Sequence, residues 1–478
     1  MGKPITSFVT PHSSLNYKKV VSDGQHFHRQ ASWHLLEDDI RHMKRRHELS
    51  LILGCIAILA LIFASWIFTA SSSPDSDNLD SANIDISARL KSIYKQHPNL
   101  RPADIERNSK QEHQLNELLT GENLIKLKMQ IEPFEQAIQS NKKITLEQAE
   151  TYLAEHEVLI QQLIELGPIN APLLQTDAGG NDAQLHGLAN FNLHKTLTDM
   201  LGVSLVCYAK TQQLERAELV ADALHSHALM KSQNLQEATV ISLIRSMTLD
   251  YYLYAAGINS LTTDFSSQLR YPDIKLSDLL RGESQYAMTM LYSETKITAD
   301  GKLIIPANVF QEESFELEPD NKNLIQELTN NVKKNLNKNE PQHIELDELE
   351  AGFLQMLNKL QSDIRAHESR SDKALDKPFF KAQQSHLAGL SPVANELCTF
   401  YFIGLEEYSK GLQYAKISDE MKQTALEICH ARQHDFPYTK KLPSNPETGA
   451  SILWDKQAML LVTEIFDEKI EVQIPISN

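Results

Sequence analysis

The stretch Thr145–Pro168, TLEQAETYLAEHEVLIQQLIELGP, sets the fold class of this chain. Thr145 and Gln148 stand at the spacing of a capping box, in which each side chain satisfies a main-chain N–H of the other residue. Ala149, Tyr152, Leu153, His156, Leu159, Ile160, Leu163 and Ile164 then recur at helical spacing on one face, and Gly167-Pro168 ends the run. A helix with one apolar face must bury it against something, and the neighbouring sequence offers more helices.

The same grammar continues on the C-terminal side. Leu188–Ala209 and Ala217–Met230 read as a helical pair joined by the polar turn KTQQLER. Asn234 with Glu237 caps a further helix carrying Val240, Ile244, Met247, Tyr251 and Tyr254. Tyr208, Ala217 and Ala221 fall where a tetratricopeptide hairpin puts its tyrosine and small residues. The recurrence of about 34 residues is missing, so the pattern is helix-hairpin packing and not a repeat array. Leu346, Leu349, Phe353, Met356, Leu357, Leu360 and Ile364 form another seam. Ser391-Pro392 opens a helix with Leu397, Tyr401, Leu405 and Tyr408, and a separate helix is expected after Ser418, with Asp419 and Glu420 in its first turn.

Two interruptions differ in kind. Thr295–Pro306 reads as a hairpin about Asp300-Gly301, and Leu317–His343, rich in Asn, Lys and Glu, reads as a mobile excursion. After Pro437 the period changes: Ile452–Trp454, Met459–Ile465 and Lys469–Ile476 suggest a short antiparallel meander. The expected fold is mainly α, a helical-hairpin body with a small C-terminal antiparallel β meander. Its divisions are a helical domain at 84–294, hairpin and excursion at 295–345, a second helical segment at 346–434 and a β cap at 435–478.

Toward the N-terminus lies Leu49–Ala70, LSLILGCIAILALIFASWIFTA, without a charge. At about 1.5 Å per residue it reaches roughly 33 Å, enough to span a bilayer core. Arg41, Lys44, Arg45 and Arg46 precede it; Asp75, Asp77, Asp80 and Asp85 follow. The positive-inside rule then puts a tail at 1–48 in the cytoplasm, a transmembrane helix at 49–70, a polar linker at 71–83 and the rest outside a bacterial inner membrane. Cleavage as a signal peptide near Ala70 to Ser72 is the alternative, disfavoured by a long n-region and a long apolar run. The lipid bilayer is thus the first expected partner.

Composition narrows the function classes. The 478 residues carry 23% charged and 7% aromatic side chains, a globular balance, and a formal net charge of −17. That charge excludes a phosphate-backbone partner, so no nucleic acid is expected. Of four cysteines, Cys55 falls in the apolar span. Cys207, Cys398 and Cys429 fall in the exported part, where disulfides can form. Cys398 and Cys429, on consecutive expected helices, are the pair to bridge; three buried thiols are the alternative.

The chemical motifs are few. His156-Glu157 begins an HExxH pattern, but Ile160 ends it, so the zinc helix is absent. Cys429, His430 and His434 form the most metal-like cluster, since the two histidines are a helical turn apart; with 18 histidines in the chain such pairs arise by chance. Walker A, G-x-G-x-x-G and G-x-S-x-G motifs do not occur. Glu406-Glu407 reads as a solvated face. No catalytic, cofactor or metal residues are assigned.

Three stretches carry a family resemblance: Leu201–Leu261, a hairpin followed by a long helix; Leu279–Gln285, LLRGESQ; and His434–Trp454, HDFPYTKKLPSNPETGASILW. They are similar to uncharacterised bacterial membrane-anchored helical proteins with a pseudopilin-like C-terminal segment. Asp435, Asn445 and Trp454 stand where that pattern has glycine, aspartate and tyrosine. Pro446 and Gly449 match its turn, where proline fixes φ and glycine supplies φ > 0. The resemblance brings no activity. The expected function is a non-catalytic membrane-anchored envelope scaffold or assembly factor that binds protein partners through the exported helical domain. An envelope hydrolase with dispersed site residues, or an accessory subunit of a secretion or pilus apparatus, are the alternatives.

Overall fold

A computed structural model describes residues 86–101, 109–119, 122–140, 142–170, 182–232, 234–258, 271–272, 274–283, 302–305, 342–370, 375, 379, 392–466 and 468–475. The expected tail at 1–48, apolar span at 49–70, linker at 71–83, hairpin turn at Asp300-Gly301 and, but for 342–343, the excursion at 317–343 lie outside them. Among the described residues no helix is long and apolar enough to cross a membrane. The described part is mainly helical. It contains α1 (Ile86–Gln96), α2 (Ser109–Leu118), α3 (Glu122–Gln139), α4 (Leu146–Leu166), α5 (Asp182–Lys210), α6 (Leu214–Ala228) and α7 (Leu235–Gly257). Strands β1 (Lys302–Ile305) and β2 (Gln342–Glu345) precede α8 (Leu346–Glu368) and α9 (Pro392–Gln433), and β3 (Leu453–Asp455), β4 (Leu460–Ile465) and β5 (Glu468–Gln473) close the chain.

Helix α4 forms where the capping box places it. The Thr145 side chain accepts from the Gln148 N–H, Gln148 Oε1 accepts from the Thr145 N–H, and Gly167 stops the helix at φ +75°. Its Ala149, Tyr152, Leu153, His156, Ile160 and Leu163 are buried, chiefly against α5. The turn after α5 is tightened by Gln212 at φ +59°, which folds α6 back along α5. Asn234 then caps α7 by accepting the Glu237 N–H at 2.9 Å, and the buried Glu283 carboxylate accepts the Leu235 N–H at 3.1 Å. Two oxygen acceptors thus satisfy donors that a helix start leaves orphaned.

The core has two parts, and two long helices run through both. One gathers Leu115, Ile131, Tyr152, Met200, Leu224, Ile244 and Tyr252 with Met421 and the inner face of the C-terminal sheet. The other gathers Leu100, Leu235, Leu279, Leu349, Leu357, Leu360 and Leu405. The start of α7 lies in the second part and its remainder in the first, and α9 divides between Tyr408 and Tyr414 in the same way.

Strand β1 pairs antiparallel with β2, Leu303 opposite Ile344, so Gln342 and His343, expected at the end of the excursion, belong to a strand instead. One further expectation is corrected. The stretch around Ser418 does not start a helix, because α9 continues unbroken from Pro392 to Gln433. Ser418 and Asp419 are buried inside it. Tertiary contact along α7 overrides the local capping signal.

The C-terminal meander forms with β3-β4-β5 in sequence order and Trp454 opposite Leu461. Ile452, Leu461, Ile465, Ile470, Val472 and Ile474 are buried, while Leu453 is exposed and Trp454 half-buried. Gly449 turns at φ +72°. Asn445 holds that turn, its Oδ1 accepting the N–H of Glu447 at 2.8 Å and of Thr448 at 3.0 Å. Its Nδ2 donates to Thr463 Oγ1 at 3.1 Å and to the Glu464 carbonyl. A carboxylate could make only the first set, which explains asparagine here.

Candidate functional site

Helix α7 and the described side chains of α5 are buried on nearly every side, so a charged residue among them has to meet a partner. Lys195 and Asp199, one turn apart on α5, do so with α3 and α7. Lys195 Nζ lies 2.8 Å from Asp199 Oδ2 and 3.3 Å from Glu135 Oε1. Tyr251 Oη of α7 donates to Asp199 Oδ1 at 2.9 Å. Tyr152 of α4 adds a hydroxyl that donates to the Met200 carbonyl at 3.4 Å. One buried polar cluster therefore ties α3, α5 and α7 together beside α4.

The two carboxyls differ in ionisation. Burial, then the charge of Glu135, holds Asp199 well above the usual carboxylate range. Burial also acts to raise Glu135, but the Lys195 ammonium and hydrogen bonds from Asp199 and Lys195 outweigh it, leaving Glu135 below its ordinary value. Burial thus favours the protonated form of Asp199, while Lys195 favours the anion at Glu135. Burial raises the hydroxyls of Tyr152 and Tyr251 as well, so both stay neutral hydrogen-bond donors. The arrangement can share a proton between two carboxyls, with Glu135 at its solvent edge, its side chain 20% exposed.

Further polar groups lie between α6, α7 and α9. Arg245, buried on α7, donates to the carbonyls of Ala228 at 3.0 Å and Pro272 at 3.3 Å and lies over the Tyr271 ring. Asp419 of α9 acts on both Arg245 and Tyr271. Lys422 of α9, buried, reaches Ser246 Oγ at 2.6 Å and Asp250 Oδ1 at 3.1 Å on α7. His194 of α5 and His227 of α6 stack in the interior, ring centroids 5.2 Å apart and planes 13° apart.

The residues marked by sequence do not converge. Cys398 and Cys429, expected to bridge, lie on the single helix α9, about 46 Å apart along its axis at about 1.5 Å per residue. A disulfide needs Cα atoms within about 7 Å, so that pairing is corrected: Cys429 is a free buried thiol, as is Cys207, and burial pushes both up. Cys429 faces the core, whereas His430 and His434 pack edge to face with centroids 4.5 Å apart at the end of α9. Among the described residues no group of three or more His, Cys, Asp or Glu side chains is placed to hold a metal ion. His156 is buried against Tyr152, and burial lowers its pKa; its neighbour Glu157 points outward to Arg216 at 2.5 Å.

Sequence reading missed Glu135, Lys195, Asp199 and Tyr251. The signal was present in one place: Lys195 and Asp199, one turn apart, are the two charged Lys/Asp residues in the stretch from Leu193 to Ala209. Glu135 and Tyr251 are remote in sequence. No family model, no curated protein and no solved structure matches the chain.

Proposed function

We propose that this chain is a non-catalytic, single-pass envelope scaffold: anchored in a bacterial inner membrane by Leu49–Ala70, with its helical body outside and binding other proteins there. The observation that carries the reading is the uncharged run Leu49–Ala70, basic before and acidic after. Two features of the body support the second half. Its buried charges are engaged in joining helices, Lys195 to α3 and Lys422 to α7. In addition, the outer faces of three adjacent helices present apolar side chains: Met129 (69% exposed) on α3, Val158 (73%) on α4 and Leu219 (55%) on α6. Gln130–Glu155 and Glu157–Arg216 contacts set these helices side by side. Exposed apolar groups gathered on one side mark a surface for association.

The test has two parts. Cysteine labelling in intact cells should reach Ser73→Cys from outside and Ser13→Cys only after permeabilisation. A photo-crosslinking residue at position 158 should yield a discrete protein adduct in the membrane fraction that is lost with Met129→Lys/Leu219→Lys. Labelling of position 73 from the cytoplasm overturns the topology, and a chain that yields no adduct from position 158 overturns the scaffold reading.

A further inference from the structure

The stacked imidazoles between α5 and α6 have no part in the reading above, and their setting is unusual. His194 is 0% and His227 3% exposed, and among the described residues the His227 ring has no side-chain hydrogen-bond partner, with only the His194 main chain close to it. Among the described residues, the charged groups on the surrounding elements have these partners. On α5, Lys195 and Asp199 meet Glu135 of α3. On α6, Asp222 acts on His225, whose ring lies over Tyr271, and Arg216 pairs with Glu157 of α4. On α7, Arg245 binds the Ala228 and Pro272 carbonyls, with Asp419 of α9 behind it. Among the described residues His194 is the side chain whose charge acts on His227, and it acts against protonation.

We propose that the stacked His194 and His227 form an acid-operated latch, closing α6 onto α5 while His227 is neutral and releasing the end of α6 when His227 takes a proton. A cation there would sit in a buried interface, facing a second imidazole and, among the described residues, with no carboxylate paired to it. The favourable route is for the last turn of α6 to move outward and hydrate the ring. Arg245 holds the next residue, Ala228, by its carbonyl, so the movement hinges at the α6–α7 junction.

The sign and size follow from linkage. Burial, with a smaller effect from His194, holds His227 well below the ordinary histidine value, a shift that the nearby His194 main chain offsets only in part. The opened state binds more protons than the closed one, so closure is complete above the free imidazole pKa and weakens as pH falls through it. With a free value of about 6.5, opening becomes about 30-fold more favourable between pH 7.5 and pH 5.0. The latch rests on the envelope reading only for its stimulus, since an exported domain meets the acidity of its surroundings.

Hydrogen exchange on the purified full chain in mild detergent tests it. After correction for intrinsic exchange, amides at 225–230, including the Leu229 N–H bonded to the His225 carbonyl, should exchange about 30-fold faster at pH 5.0 than at pH 7.5. The α8 amides should not follow. In His227→Phe, which keeps a flat apolar ring, that 30-fold response should vanish. An unchanged response in His227→Phe overturns the latch. Should that variant not fold, the wild-type map decides alone: acid-induced exchange that begins elsewhere, or spreads uniformly, also overturns it. None of this depends on topology, so a failed latch and a failed membrane reading are separable.

Discussion

Gly202→Ala is the sharpest test of how α5 meets α7. A Cβ built at Gly202 would lie 2.2, 2.3 and 2.5 Å from Cδ2, Cγ and Cε2 of the Tyr251 ring. The ring is 5% exposed and is pinned at its far end, where Oη donates to Asp199 at 2.9 Å. It cannot give way without breaking that bond. Forcing a methyl into a packed core costs about 1–3 kcal/mol, and leaving the Asp199 and Tyr251 polar groups badly paired adds about 1–3 kcal/mol. Against this, alanine is better than glycine inside a helix by about 1 kcal/mol. The expected net loss is about 3 kcal/mol, which at about 2–4 °C per kcal/mol lowers Tm by roughly 6–12 °C. Thermal unfolding of the full chain in mild detergent, followed by circular dichroism at 222 nm, measures it. The partner experiment reverses the sign: in a Tyr251→Ala background the ring is gone, and Gly202→Ala should be neutral or stabilising by up to about 1 kcal/mol. The reasoning fails if Gly202→Ala melts with the parent, or if its cost is the same in both backgrounds.

Three other substitutions probe the remaining contacts. Lys195→Met leaves Glu135 charged and poorly solvated; the expected loss is about 2–3 kcal/mol, discounted for partial exposure, and Glu135→Gln in the same chain should recover most of it in a denaturant titration. Asn445→Asp keeps the turn contacts but sets a carboxylate against the Glu464 carbonyl, so a loss of about 1–3 kcal/mol is expected, larger at pH 8 than at pH 4 because protonation restores a donor; equal melting at both pH values would contradict it. Trp454→Ala should cost about 2 kcal/mol, below the about 3–5 kcal/mol of a fully enclosed ring, because the indole is half-buried between Tyr438 and Lys456; a loss above 4 kcal/mol would show it buried.

What could be read from sequence was whatever local chemistry determines. The capping box at Thr145 and the Asn234 cap depend on residues three apart, and both formed as spaced. The α8 seam from Leu346 to Ile364 is buried throughout, since a periodic apolar face has no stable alternative. The meander followed from the change of period after Pro437. What failed was decided by partners far along the chain. Ser418-Asp419 has the composition of a helix start, but Asp419 is held beside Arg245 and the helix runs through it. Residues 302–305 carried a strand signal and no indication that 342–345 would answer it. The Cys398–Cys429 pairing presupposed a break between two helices and fell with that break.

The same distinction explains why the helices were legible and their arrangement was not. Helix α7 is buried or half-buried on all sides, and apolar burial is non-directional: its apolar residues alone would leave its rotation weakly determined. Its polar side chains remove that freedom because each has a different partner. Arg245 takes the end of α6 at Ala228, Ser246 and Asp250 take Lys422 of α9, Tyr251 takes Asp199 of α5, and the Tyr252 hydroxyl donates to the Ala221 carbonyl of α6 at 2.6 Å. Rotating the helix by one residue would leave several of these groups buried without partners, at about 1–3 kcal/mol each. The charged and hydroxyl residues therefore fix rotation and register, while the apolar ones supply most of the stability. Their partners lie on α5, α6 and α9, from 17 residues away for Arg245 and Ala228 to 176 for Ser246 and Lys422, which places most of the determinants of this packing outside the helix's own local sequence.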